Sequence, residues 1–574
     1  MATAVVADRA RRGGRRMGLV YALMSALLVL ALVPALHPPL PHVPPIAAFA
    51  PVAQQNITKP PPDQSSTSGK GANQNGNGEA AGGSATPTPS PTPPAPPAAG
   101  AAGPGAAGES PPRSLDCVDG PGGPRQIADT QSPPCIPFWK GDNGGATWHG
   151  VDANTIRIGL ADSQPETQYW TQFFNDHFEL YGRQIVTVNV GCGGGGGSDT
   201  PQADMVKDAD QIAATDNVFA VLGCSDAGGR EKYFFDELAR KGIISVTAQM
   251  NLSAEADLEK FQPYEWNYYP SVDVNEVDLG AQACTLRDQP APAYTPPSLS
   301  HRRSYGIIYS TYTDGSSIDR HYLTDALQAC GITVQPKDIL PVDYVPSSAG
   351  AGYQNRSTNS TQQAEAAVAQ LASDGITTVL FMTHVTSTIQ VLQQADSASY
   401  HPEWMMGYFD YNTAWSPEGP LQPTDQWDHA FGFDYQNKLV AAPLNPWYQA
   451  VMEENSTYSW PYAPLRYNGW YCYEMELLLA SGLQMAGPHL TPQTFQQGLW
   501  NTHFPNPPGP YDEGTVGFNH DHTWVKDHAL VWYSASSTGP WGQSGVWCYV
   551  THGQRYTDAN LPGGYPYDSG TCEA

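Results

Sequence analysis

The stretches of this chain best equipped for chemistry are loops, not clusters of nucleophiles. Gly223-Cys-Ser-Asp-Ala-Gly-Gly229 follows a short apolar run. Its glycines leave backbone N–H groups with little steric cover, and a helix opening at Ala227-Gly-Gly229 would aim them at an anion. Thr247-Ala-Gln-Met-Asn251 follows a second apolar run and offers a hydroxyl and two side-chain amides. His520-Asp-His522 supplies two imidazoles without a third donor in sight, so a metal centre is not expected there. The glycine run 193–197 lacks the Lys-Ser/Thr of a phosphate-cradling P-loop and reads as a strand-to-helix loop. The chain has no Gly-x-Ser-x-Gly elbow, no His-Glu-x-x-His and no nucleophile with a placed base. Glu453-Glu454 lie in a row on a helix surface, with no catalytic spacing. Binding without bond-making fits these residues best, with no cofactor and no metal.

Such loops need a frame. Residues 202–216 carry Met205, Val206, Ala209, Ile212 and Ala213 at helical spacing. Val218-Phe-Ala-Val-Leu222 is an unbroken apolar run, the pattern of a strand buried on both faces. Residues 230–241 repeat a helical stripe (Phe234, Phe235, Leu238, Ala239) stopped by Gly242, and Ile243-Ile-Ser-Val246 is a second strand. Helix, strand, helix, strand at this spacing means right-handed crossovers in a parallel sheet, whose ligands sit beyond the carboxyl ends of the strands. Before them, Thr155-Ile-Arg-Ile-Gly-Leu160 predicts a strand, 168–181 a helix and 184–190 another strand. After them come a helix over 274–287, a strand at 303–309, helices at 319–329 and 361–374, and strands at 377–382 and 404–409. A long helix at 467–486 follows, and 514–519 and 529–533 look like the closing strands of a known family of two-lobed proteins.

Lys+Arg number 28 against Asp+Glu 55, for a net charge of −27, which argues against a nucleic-acid surface. Residues 1–16 are basic and 17–36 apolar, a length that fits either a signal peptide or one membrane-spanning helix. Either way the body is expected to be exported, lying outside the cell membrane as an anchored or a secreted protein. Residues 38–113 are rich in Pro, Gly and Ser and read as a disordered tether. In an exported chain a local disulfide is the default reading for Cys117 and Cys135, in a lead-in segment over 114–150. Cys284 and Cys330 sit in helices flanking one strand, where paired and unpaired states both remain open. Cys548 and Cys572 are expected to bridge a C-terminal tail over 535–574, and Cys472, among apolar neighbours, to be the unpaired member of nine.

The ordered series of segments resembles the type I periplasmic binding proteins, and among them the branched-chain amino-acid (leucine/isoleucine/valine) binding branch. Trp148-His-Gly-Val-Asp-Ala-Asn-Thr-Ile-Arg-Ile-Gly159 is similar to that family's first strand, Val221-Leu-Gly-Cys-Ser225 to its third-strand turn, and Glu265-Trp-Asn-Tyr-Tyr-Pro-Ser271 to the segment before its first crossing between lobes. The resemblance spans 151–534. It implies an α/β fold of two Rossmann-like lobes with parallel sheets joined by a hinge, with lobe 1 over about 151–295 and 412–515 and lobe 2 over about 300–411 and 516–534. It also implies a disulfide between Cys192 and Cys224, at neighbouring strand ends.

By the same resemblance Ser225 stands where the family's carboxylate-binding serine stands, with Asp226 beside it. Thr247 and Gln249 fall in the second ligand loop, where Gln249 and Met250 are bulkier than the family's usual small residues and argue against a leucine-like ligand. In the second lobe the tyrosine position is held by Asp314, with Tyr312 two residues earlier. His384 falls in the next cleft loop, and Asp410 near the acid that pairs a ligand ammonium. The implied function is a tethered solute-binding protein delivering an amino acid or similar small polar solute to the permease subunits of an ABC-type importer. The alternatives are a ligand-sensing or cell-envelope module of the same fold, or an envelope enzyme acting on glycans, favoured only by the aromatic content.

Overall fold

A computed structural model describes residues 117–563 and 572, except 121, 162–163, 192–201, 224–231, 249–252, 290–301, 313–316, 345–352, 408–422, 429, 439–441, 460–469, 507–513 and 539–543. The chain divides into Met1–Pro104 and Gly105–Ala574, and every described residue falls in the second part.

Two sheets are built in sequence. The first has the order β2-β1-β3-β4-β5. Its strands are β1 (Thr155–Leu160), β2 (Gln184–Asn189), β3 (Ala220–Leu222), β4 (Ile244–Thr247) and β5 (Glu265–Asn267), all parallel. The short apolar β3 and β4 are buried at every residue because helices Gln202–Thr215 and Lys232–Arg240 cover one face and Trp470–Met485 packs on the other. Phe234 and Leu238 point from the second of these helices into the sheet, as its 3.6-residue stripe requires.

The second sheet has the order β12-β11-β10-β9-β8-β6-β7, with β13 paired to β11. Here β6 is Tyr305–Thr311, β7 Ile339–Asp343, β8 Thr378–Met382, β9 Glu403–Met406, β10 Ala430–Asp434, β11 His528–Thr538, β12 Ser544–Tyr549 and β13 Arg555–Tyr556. Strands β6 to β10 are parallel, whereas β11, β12 and β13 run antiparallel to their partners. Helices Val272–Leu286, His321–Ala329, Tyr353–Ser373 and Val385–Ser397 flank this sheet.

Three expectations change. The chain does not return to the first lobe at residue 412, because Ala430–Asp434 first adds β10 beside β9. The segment after 535 is no separate tail: β12 and β13 hydrogen-bond to β11 and complete the second sheet. No strand forms at 514–519, where only an isolated bridge joins Val516 to Val525. Disulfides join Cys117 to Cys135, Cys284 to Cys330, and Cys548 to Cys572, and Cys472 is buried and outside these bridges. Cys192 and Cys224 lie outside the described residues, as does the apolar segment 17–36. Among the described residues no helix is long and apolar enough to cross a membrane.

Candidate ligand cleft at the carboxyl edges of two sheets

Three stretches carry the chain between the sheets. Residues 268–271 leave β5 and enter the helix Val272–Leu286. Residues 435–445 leave β10 for the helix Pro446–Glu454, which packs on Thr167–His177 of the first lobe. Residues 502–527 return from the helix Pro492–Asn501 to β11. The first crossing departs from the carboxyl end of a parallel strand in one sheet, and the second from the carboxyl end of a parallel strand in the other. The third joins β11 where Ala529 pairs with Asp434, at that same edge. Both sheets therefore turn their carboxyl edges toward the junction, the edges at which open α/β sheets take ligands.

Side chains at the second edge converge. Tyr312, Tyr344 and His384 directly follow or lie two residues beyond the ends of the adjacent strands β6, β7 and β8. The Tyr312 hydroxyl lies 2.9 Å from His384 Nε2, and the Tyr344 ring centroid 4.5 Å from that of His384. His384 starts the helix Val385–Ser397: its backbone N–H donates to Ser310 Oγ at 3.3 Å, and its carbonyl accepts from the N–H groups of Ser387 and Thr388. Burial disfavours the imidazolium and pulls the His384 pKa down to about 4, so the ring is neutral at pH 7. This corner offers aromatic faces and neutral hydrogen-bonding atoms.

At the first edge Thr247 ends β4, and its carbonyl accepts from the Tyr268 N–H at 2.7 Å, so the second candidate loop starts beside the first crossing. Gly223 follows β3 with φ +61°, donates to the Val246 carbonyl at 2.9 Å, and would place a Cβ 2.8 Å from the Met475 methyl. That left-handed turn aims the chain into the glycine-rich loop. Ser225, Asp226, Gln249 and Asp410 lie outside the described residues. Of the seven candidate ligand residues, the structure thus brings Tyr312 and His384 into contact and sets Thr247 at the opposite edge.

Sequence reading missed the polar seam beside the first crossing. The Tyr269 hydroxyl donates to Glu474 Oε2 at 2.7 Å, and that of Tyr473 to Asp129 Oδ2 at 2.9 Å. Burial drives the Glu474 carboxyl up to about 8, with the negative charges of Asp129 and Asp434 adding to the effect and the Tyr269 bond opposing it. Asp434 is likewise raised to about 8 by burial, against the pull of the Gln436 N–H and Arg555. The only advance signal was the density of tyrosine at 268, 269 and 473. His522 Nδ1 lies 2.8 Å from Glu255 Oε1 while His520 packs against Trp500, and among the described residues no group of three or more His, Cys, Asp and Glu could hold a metal ion. A groove of about 450 Å³ lies at the amino-terminal edge of the second sheet, but its cations are engaged, Arg287 with Asp288 and Lys337 with Asp374.

No family model and no curated protein matches the chain. Solved structures do. A possible leucine/isoleucine/valine-binding protein from Rhodopirellula baltica is 13% identical, with a TM-score of 0.46 over 69% of this chain and 96% of that one. An ABC-transporter solute-binding protein from R. palustris, in complex with 4-hydroxybenzoate, is 12% identical, with a TM-score of 0.46 over 71% and 98%. An ABC-transporter substrate-binding protein from Desulfitobacterium hafniense, in complex with Leu, is 14% identical, with a TM-score of 0.41 over 70% and 99%. Many of the solved structures similar to this chain, all at low sequence identity, are thus type I periplasmic binding proteins, leucine/isoleucine/valine-binding proteins and solute-binding proteins of ABC transporters.

Proposed function

We propose that this chain is an extracytoplasmic solute-binding protein of an ABC-type importer, capturing a small polar solute such as an amino acid between its two lobes. The observation that carries the reading is the junction: two parallel sheets, linked three times, with every link at the carboxyl edges. Such a linkage lets the lobes rotate toward one another and enclose a ligand without any chemical step. The three disulfides among the described residues suit an oxidising compartment outside the cytoplasm. On this reading 151–534 forms the binding body, extended by β12 and β13. Residues 1–37 provide membrane contact or an export signal, 38–113 a tether, and the permease subunits are the membrane partners.

Within the cleft, the Ser225 hydroxyl and the N–H groups of the glycine loop, that of Asp226 among them, would receive a carboxylate. Thr247 and Gln249 would line the first edge, Tyr312 and His384 the second, and Asp410 would pair an ammonium. The test is isothermal titration of the full chain against free amino acids and small carboxylic acids, with Ser225→Ala beside it. The expected result is one-site binding of an unaltered solute, weakened about tenfold or more by loss of a charge-assisted hydrogen bond. Turnover of the bound compound, or no binding across the panel, would overturn the proposal.

A further inference from the structure

The segment bracketed by Cys117 and Cys135 precedes the two-lobed body in sequence but is built into the junction between the lobes. It is held to the first lobe by several independent bonds. Gln126 Nε2 donates to the His177 carbonyl at 2.7 Å, Gln484 Nε2 donates to the Pro134 carbonyl at 3.2 Å, and Asp129 accepts from Tyr473. Arg125, almost fully buried, donates to the Pro505 carbonyl at 3.1 Å, at the start of the third crossing.

From this anchored base one side chain reaches all three crossings. Gln131 is 1% exposed. Its backbone N–H is fixed by Asp129 Oδ1 at 2.8 Å. Its Nε2 donates to the Gly514 carbonyl of the third crossing at 2.9 Å and to Asn437 Oδ1 of the second at 3.1 Å. Its Oε1 accepts from Asn437 Nδ2 at 3.1 Å and from the Tyr268 hydroxyl of the first crossing. Asn437 closes the figure, with its Oδ1 accepting from the Gly514 N–H at 2.8 Å and its Nδ2 reaching the Tyr268 hydroxyl at 3.3 Å. A primary amide has two donor hydrogens and two acceptor lone pairs, and all four of Gln131's are used.

We propose that Gln131 is a positioning residue for lobe closure: its amide pins the three crossings at one pivot and so restricts the lobes to a swing about it. Three parallel linkers alone would let the lobes twist and slide as well as swing. A buried amide with all its valences taken admits only movements that keep Tyr268, Asn437 and Gly514 at their separations, since each lost bond leaves a desolvated polar group. The swing about the pivot survives, and the other motions are suppressed. This rests on reading the crossings as a hinge, but not on the identity of the solute.

The test therefore needs no ligand. Distances between spin labels at Gln211 in the first lobe and Ala366 in the second, both exposed, report the interlobe angle in the full chain. Gln131→Ala should broaden or shift the distance distribution. Gln131→Glu, which keeps both acceptors and loses both donors, should fall between it and the parent. Gln126→Ala, which loosens the same segment from the first lobe without touching a crossing, should lower the melting temperature and leave the distribution unchanged. If Gln131→Ala fails to fold, Gln131→Glu and Asn437→Ala carry the same comparison. Distributions identical to the parent's in the Gln131 and Asn437 variants, or displaced equally by Gln126→Ala, would overturn the assignment, whatever the titrations say about solute binding.

Discussion

Arg303 and Glu403 meet through two parallel hydrogen bonds, Nε to Oε2 and an Nη to Oε1, each 2.8 Å long, with both side chains almost wholly buried. Glu403 also accepts from Thr378 Oγ1 at 2.5 Å, and Arg303 donates to the carbonyls of Leu286 and Gln289. The pair thus fastens the end of the helix Val272–Leu286 to the amino-terminal edge of the second sheet. Removing one partner strands a buried charge. Glu403→Ala should cost about 3–5 kcal/mol in a urea titration, whereas the double change Arg303→Met with Glu403→Leu should cost clearly less.

His384 gives the protein an acid-sensitive corner. Its pKa is depressed in the fold from 6.5 to about 4, so the unfolded chain binds the extra proton first as pH falls. The contribution is fully present above pH 6.5 and is lost on the way down to pH 4, by on the order of 3 kcal/mol. Chemical denaturation at a series of pH values should show this slope, and His384→Gln, which cannot titrate, should flatten it. An unchanged slope in the variant would assign the acid sensitivity elsewhere.

Glu474 works in the opposite sense. Burial raises its pKa from 4.5 to about 8, so the folded chain holds a proton that the unfolded chain releases. Its contribution is complete below pH 4.5 and is lost as pH rises through 8. Glu474→Gln, a neutral mimic of the protonated acid, should leave the melting temperature near pH 5 almost unchanged and raise it near pH 8. Asp434, also raised to about 8, adds a parallel effect that Asp434→Asn should remove.

Gly223 should resist substitution. Its φ of +61° and the Met475 methyl 2.8 Å from the site of a Cβ both oppose a side chain. Gly223→Ala should cost about 1–2 kcal/mol from backbone conformation alone. On the proposed function it should also weaken solute binding, because the glycine loop leaves the sheet at a new angle. Melting curves and titration of the same preparation separate the two effects.

Much of the frame was legible because parallel strands and their covering helices have strong patterns. Thr155–Leu160 is found at its expected ends, and the helix expected over 202–216 runs Gln202–Thr215. Ala430–Asp434 escaped because Ala-Phe-Gly-Phe-Asp is short, broken by a glycine, and ends in an acid whose burial no local rule foretells. Ser544–Tyr549 escaped because its partner β11 is an antiparallel addition to a parallel series. At the carboxyl edge of the second sheet, Tyr312 and His384 stood out because they fall in the cleft loops of the family that the sequence resembles. Tyr344 did not, since β7 before it contains Pro341 and is half exposed. Gln131 could not be read at all: its partners lie 137, 306 and 383 residues away, and an isolated glutamine carries no periodic signal.

The disulfide-bracketed segment also bears on where the protein can be cut. Pattern alone invites trimming at Val151, just ahead of the first strand. A shortened chain of that kind would forfeit Arg125, Asp129 and Gln131, and water would flood the seats they vacate beside Tyr268, Tyr473 and Asn437. Recombinant versions beginning near residue 114 should therefore express as well-behaved monodisperse material, while those beginning at 151 should be prone to precipitation and proteolytic nicking between the lobes.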